Sequence, residues 1–284
     1  MRAVYLLAPA LVPALLGCSA NVAGSPEAGD AEVGASAAVV VVERTATAGD
    51  TRASAVARFL RMHSGAVDEE ALRLVGAAVD FPAQGSCSAL PAAKVAARAV
   101  ELMNVGAVAL EVGGVRTSLE PRLLPDVVDL VSGVVYATRI SDADGLPADS
   151  TYLLRAAGAP EVDLPSFAVV ATAPGEPVDL RVQGQDAHGP VALTAGVPVD
   201  LTWTAGGADD LVYVDVNGSP ETSGPGVRCL FADSGHASLA NAADAWADGT
   251  LLVHRLHRET FRVRGIDAGE IRFDFARAVS FARR

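Results

Sequence analysis

From Val39 onward, apolar residues recur at about every second position, in short runs broken by Gly, Pro and Asp. This is the period of a strand with one buried face. Val39–Val42, Ala107–Val112, Val127–Arg139, Thr151–Ala156 and Phe167–Thr172 read as strands. Val197–Thr204, Leu211–Val216, Val227–Phe231, Thr250–Leu256, Thr260–Val263 and Ile271–Phe275 continue the pattern. Ser54–Met62 is ambiguous; as a strand it sets Val56, Arg58 and Leu60 against Ala57, Phe59 and Arg61. Ala92–Met103 fits an Ala-rich helix or a loop entering a strand. Two segments carry a helical period. Asp68 can cap a helix running to Val79, with Glu69 and Glu70 at its positive end and Leu72, Val75 and Val79 on one side. Ser238–Asp248 sets Leu239, Ala243 and Trp246 together, and Gly249 can end it.

Ala173-Pro174-Gly175-Glu176-Pro177 separates two strand patterns and marks a boundary. The expected fold is therefore mainly β: two tandem antiparallel β-sandwich-like domains, residues 38–174 and 178–284, with one or two short helices. Trp203 on a strand resembles the immunoglobulin pattern, but the second cysteine of that pattern is missing, so the likeness concerns architecture alone.

The N-terminus breaks the strand pattern. Arg2 precedes an apolar stretch, Val4–Leu16, that ends in Leu15-Leu16-Gly17-Cys18. The stretch is too short for a spanning helix, which takes about 20 apolar residues. Leu15–Cys18 resembles the lipobox of bacterial lipoproteins. The resemblance implies a signal peptide at 1–17 and a lipid, such as palmitate, on Cys18 as first mature residue. It implies a cell-envelope address, and Ser19 favours the outer membrane over the inner. Residues 18–37 are rich in Ala, Gly and Ser without apolar periodicity, as expected of a flexible tether. The chain as a whole loosely resembles envelope lipoproteins of high-GC bacteria.

The formal net charge is -12, or -13 once Arg2 is removed with the leader. Such acidity argues against nucleic acid and against peripheral binding to anionic head groups. Aromatics are only 5% of the chain, so the cores should be aliphatic. With Cys18 lipidated, Cys87 and Cys229 remain; in an oxidising compartment they can pair or stay as two separate buried thiols.

Candidate chemistry is sparse. Asp233-Ser234-Gly235 resembles the loop of aspartic proteases, a chemistry that needs two such aspartates, and no second copy occurs. A turn explains it equally. Asp233, Ser234 and His236 hold the residue types of a triad but lack a nucleophile elbow. Asp142, Asp144 and Asp149 form a weak calcium candidate without the closing Glu of an EF-hand. His254 and His257 fall on opposite faces of a strand and, with Arg255 and Arg258, read as a solvated basic strip. Asp209, Asp210, Tyr213 and Asp215 could form a shallow polar ligand face, with Tyr213 and Asp215 outward. No Cys/His cluster, phosphate loop or zinc-protease motif is present, and no cofactor is expected beyond the lipid. The expected function is a lipid-anchored, non-enzymatic binding or interaction module with a protein or glycan ligand. An envelope hydrolase acting on peptide or glycan and a structural part of an envelope complex are the alternatives.

Overall fold

The computed structural model describes residues 34–63, 65–90, 99–127, 131–138, 143–219, 225–240 and 242–284. The leader, Cys18 and most of the expected tether lie outside these residues, as does Asp142.

Alternation produces strands almost throughout. They are β1 (Ser36–Ala46), β2 (Thr51–Arg61), β3 (Ser86–Ala89), β4 (Val100–Leu102), β5 (Val108–Val112) and β6 (Val115–Val127). Next come β7 (Val131–Ala137), β8 (Thr151–Ala156), β9 (Phe167–Thr172), β10 (Arg181–Val182), β11 (Gln185–Asp186) and β12 (Val191–Leu193). The last are β13 (Val199–Thr202), β14 (Leu211–Gly218), β15 (Val227–Ala232), β16 (His236–Leu239), β17 (Asp248–Val263) and β18 (Ile266–Arg283). The fold is mainly β, with a 14-stranded sheet and a 4-stranded one.

The large sheet runs β3-β15-β14-β17-β18-β1-β2-β4-β7-β6-β5-β8-β9, with β12 added beside β18. The small sheet runs β11-β10-β13-β16. Pairing is not antiparallel throughout: β1 lies parallel to β18, from Ala37 opposite Ala268 to Ala46 opposite Arg277.

One face of the large sheet carries two apolar cores in succession. In the first, Val40 and Val42 of β1 and Phe59 of β2 pack with Leu110, Tyr152 and Leu154 and with Ile271, Phe273 and Phe275 of β18. In the second, Leu201 of the small sheet packs on Val212, Val214, Leu251, Val253, Val279 and Phe281. The change of core falls near the Pro174–Pro177 turn. However, β18 supplies odd-numbered side chains to both cores, and residues Glu32–Arg284 cluster as one unit.

The local differences from expectation have simple causes. β1 starts at Ser36, inside the expected tether, because Ser36 bonds the Asp267 carboxylate through both its backbone N–H and its hydroxyl. The first helix, α1, covers only Glu69–Leu74, with Asp68 as its cap accepting from the Ala71 N–H. It stops at Gly76, whose φ of 68° belongs to the left-handed region. The described residues of 238–248 form no helix: Leu239 pairs with Val199 as the end of β16, and Ala242, Ala243 and Trp246 enter the second core from turns. Asp68→Ala is expected to weaken α1 by about 1 kcal/mol. Amide exchange should show it as lost protection at Leu72, whose N–H donates to the Asp68 carbonyl, and at Ala77, whose N–H donates to the Leu72 carbonyl past the helix end.

Candidate functional site

The sheet face turned away from these two cores carries a polar patch between small apolar clusters at Leu60 and Leu102 and at Leu230 and Leu256. On β1 and β2 it carries Glu43 and Arg58; on β18, Arg272 and Asp274; on β17, His254; on β14, Tyr213 and Asp215; on β15, Arg228. Register places them side by side. Glu43 lies opposite Asp274 and Val41 opposite Arg272; Tyr213 lies between Leu230 and His254, and Asp215 faces Arg228.

The chain after α1 crosses this face as a cover. Arg272 Nη1 donates to the Ala77 carbonyl at 2.8 Å, and Arg228 Nη1 donates to the Asp80 carbonyl at 3.3 Å. Phe81 sets its ring edge-on to Tyr213 at 5.3 Å, with the Arg228 and Arg258 guanidinium groups 5.8 and 5.7 Å from its centre. Cations over an aromatic face are attracted by its quadrupole. The cover then enters β3, where Cys87 lies directly opposite Cys229 of β15 and the two sulfurs are bonded. Between cover and sheet is a cavity of about 300 Å³, with Val41 and Val56 on its sheet side and Gly76–Val79 on the other.

Most charges here are spent. Two 2.7 Å hydrogen bonds join Arg228 to Asp215, and Arg228 lies 4.8 Å from the Tyr213 ring centre. Arg272 Nε donates to Glu270 at 2.8 Å. The Tyr213 hydroxyl donates to one oxygen of Asp274, and His254 Nδ1 lies 2.8 Å from the other. His254 stacks on the Tyr213 ring at 4.1 Å. Burial works against an ionised Asp274, but the bonds and charge of His254 and the Tyr213 hydroxyl outweigh it and hold the carboxyl below its ordinary range. Burial, followed by the Asp274 charge, pushes the Tyr213 phenol well up.

Two groups on the cavity wall are unspent. Arg58 Nε is buried and has no hydrogen-bond partner. Glu43 makes no salt bridge among the described residues. Partial loss of water around Glu43, which keeps an exposed edge, and then the Asp274 charge raise its carboxyl against the opposing Arg58 and His254 charges; burial, and then Arg272, lower the Arg58 guanidinium against the opposing Glu43 charge. A carboxyl raised by folding favours the folded state below its unfolded pKa, and that advantage disappears as pH rises through the folded value. Glu43→Gln should therefore melt above the parent at pH 8 and level with it at pH 4. Thermal scans at the two pH values check this.

The residues singled out from sequence fall elsewhere or serve otherwise. Asp209, Asp210, Tyr213 and Asp215 do not make an exposed face. Asp209 is exposed, whereas Asp210, Tyr213 and Asp215 are buried. Tyr213 and Asp215 do point away from the core, but the cover closes over them. Asp210 takes the Gly207 N–H at 2.8 Å and lies 2.6 Å from His257 Nδ1.

Asp233 is sealed. It accepts from Trp203 Nε1 at 2.5 Å, the Gly206 N–H at 3.0 Å and Arg255 Nε at 2.6 Å. The Asp233 and Arg255 side chains are 0% and 4% exposed, so Asp233 has no water to activate. The Ser234 hydroxyl donates to the His236 carbonyl, not to its ring, and no triad forms. The basic strip is not solvated either: Arg255 is buried, and His254 and His257 are each bound to an aspartate on opposite faces of β17. Asp149 lies against the Pro174–Gly175 turn, and Asp144 is exposed. Among the described residues no group of three or more His, Cys, Asp or Glu could hold a metal. A second cleft, about 540 Å³, lies by His257; its Arg255, Asp210 and Glu259 are already bonded within the protein.

Sequence reasoning missed Glu43, Arg58, Arg228, Arg272 and Asp274. The available signal was charge at alternate positions inside strongly apolar strands, most plainly Arg272 and Asp274 between Ile271, Phe273 and Phe275.

No protein-family profile and no curated protein matches the chain. Among solved structures, the mu-homology domain of yeast delta-COP-I aligns over 88% of this chain and 97% of its own, at 9% identity and a TM-score of 0.23. The same yeast domain complexed with a Dsl1 WxWxV peptide aligns over 88% and 98%, at 9% identity and a TM-score of 0.22.

Proposed function

We propose that this chain is a non-enzymatic binding module of the cell envelope, anchored by lipid on Cys18, and that the covered polar cavity is its ligand site. The observation that carries the site is Arg58 Nε, buried on the cavity wall with no acceptor. Buried polar groups nearly always have partners, and an orphan needs a reason. An acceptor supplied by a ligand is that reason. The two cores read as tandem sandwich-like domains sharing β17 and β18. The hydrolase alternative loses its named residue, because Asp233 is consumed by Arg255, Trp203 and Gly206. The lipobox-like Leu15–Cys18 carries the anchor.

Two measurements test the reading. Cells fed labelled palmitate should label the parent chain, and Cys18→Ala should lose both label and membrane association; a variant that stays in the membrane overturns the anchor. For the site, the full-length Cys18→Ala chain is titrated with acetate, methylammonium, phosphate, alanine and glucose. The Arg58 Nε–H resonance is followed by NMR. Saturable movement with one of these probes is the expected result, and an unmoved resonance with all five overturns the site.

A further inference from the structure

We propose that the cavity takes a small zwitterion with an apolar substituent, the chemistry of an α-amino acid, bridging Arg58 and Glu43. This rests on the reading of the cavity as a ligand site. Arg228 is paired with Asp215, Arg272 shares Glu270 with Arg258, and Asp274 is held by Tyr213 and His254. Arg58, its Nε buried, and Glu43, exposed at the cavity's edge, are left, one of each sign.

Their spacing follows from register. Arg58 pairs with Val39, and Glu43 pairs with Ser54. The two therefore start four residues apart along adjacent strands, roughly 13 Å at the rise of a strand. Val41 and Val56 lie between them as directly opposed neighbours. The two long side chains line the same cavity without closing into an ion pair. An apolar strip with a cationic end and an acidic end is left open beneath Ala77, Ala78 and Val79.

A ligand carrying a carboxylate and an ammonium on one small frame satisfies both ends. Its carboxylate accepts from the Arg58 guanidinium, its ammonium donates to Glu43, and a short apolar side chain rests on the valines. A simple anion would satisfy Arg58 but face Glu43 with Asp274 beside it. A simple cation would satisfy Glu43 but face Arg58 with Arg272 behind it. The penalty for a misplaced charge is largest at the buried Arg58 end and smaller at the exposed Glu43 end.

The test extends the same NMR titration of the full-length Cys18→Ala chain, with alanine, acetate and methylammonium as probes. Alanine should bind at least about tenfold more tightly than either half, because each half forfeits one charge-assisted hydrogen bond. Glu43→Gln should weaken alanine and strengthen acetate relative to the parent. Arg58→Gln, followed on the backbone amides of Gly76–Val79 across the cavity, should weaken alanine and strengthen methylammonium. A general loss of fold would weaken all three probes together, so this crossed change separates recognition from structure. If acetate or methylammonium binds the parent as tightly as alanine, the zwitterion is overturned while the ligand site stands. If no probe moves the Arg58 resonance, both fall.

Discussion

Asp233→Ala is expected to destabilise the protein by about 3–5 kcal/mol, the range for removing one partner of a buried ion pair. Arg255 would remain buried with its charge uncompensated, and the Trp203 indole N–H and the Gly206 N–H would lose their acceptor. Against a typical total of about 5–15 kcal/mol, that is a large share of the stability. Urea titration should show a much lower midpoint with an unchanged slope. A double-mutant cycle with Arg255→Met supplies the control. The pair touches directly, so the two effects should fall well short of adding. Additive effects, or a loss below about 1 kcal/mol, would mean that the pair is solvated and that Asp233 is free for other work.

Replacing both Cys87 and Cys229 with serine and alanine, respectively, is expected to remove about 4–5 kcal/mol. The bond joins residues 142 apart, and the chain-entropy relation gives a value near the top of its range for so long a loop. The midpoint of urea unfolding should fall for the variant, and the parent should fall to match it when reduced. Amide exchange should localise an additional effect in residues 75–82, because β3 holds the end of the cover against β15. A variant as stable as the oxidised parent would show that the two sulfurs are not joined in solution.

What the chain reveals of itself depends on how local each feature is. β8 and β9 occupy the residues that alternation marks, because each strand declares its period within six residues. The turn at Asp233-Ser234-Gly235 was also legible: Gly235 has a φ of 83°, the conformation glycine supplies in turns. The partners of Asp233 were not, since Trp203 and Arg255 lie 30 and 22 residues away. The cavity is the extreme case. Its wall comes from β1, β2, β14, β15 and β18, and only sheet order makes neighbours of Glu43 and Asp274. Alternation correctly turned Tyr213 and Asp215 away from the core, but it could not say that Phe81 would cover them. His254 and Arg255 looked solvated for the same reason. Charge in a strand reads as exposure until the opposing layer is known.

The parallel pairing of the first strand with the last also fixes when the protein can finish folding. Val40 and Val42 need Ile271, Phe273 and Phe275 to close their core, and those side chains lie at the other end of the described residues. Contacts so distant in sequence form slowly. The first strands must therefore wait, incompletely packed, until β18 is in place beside β1.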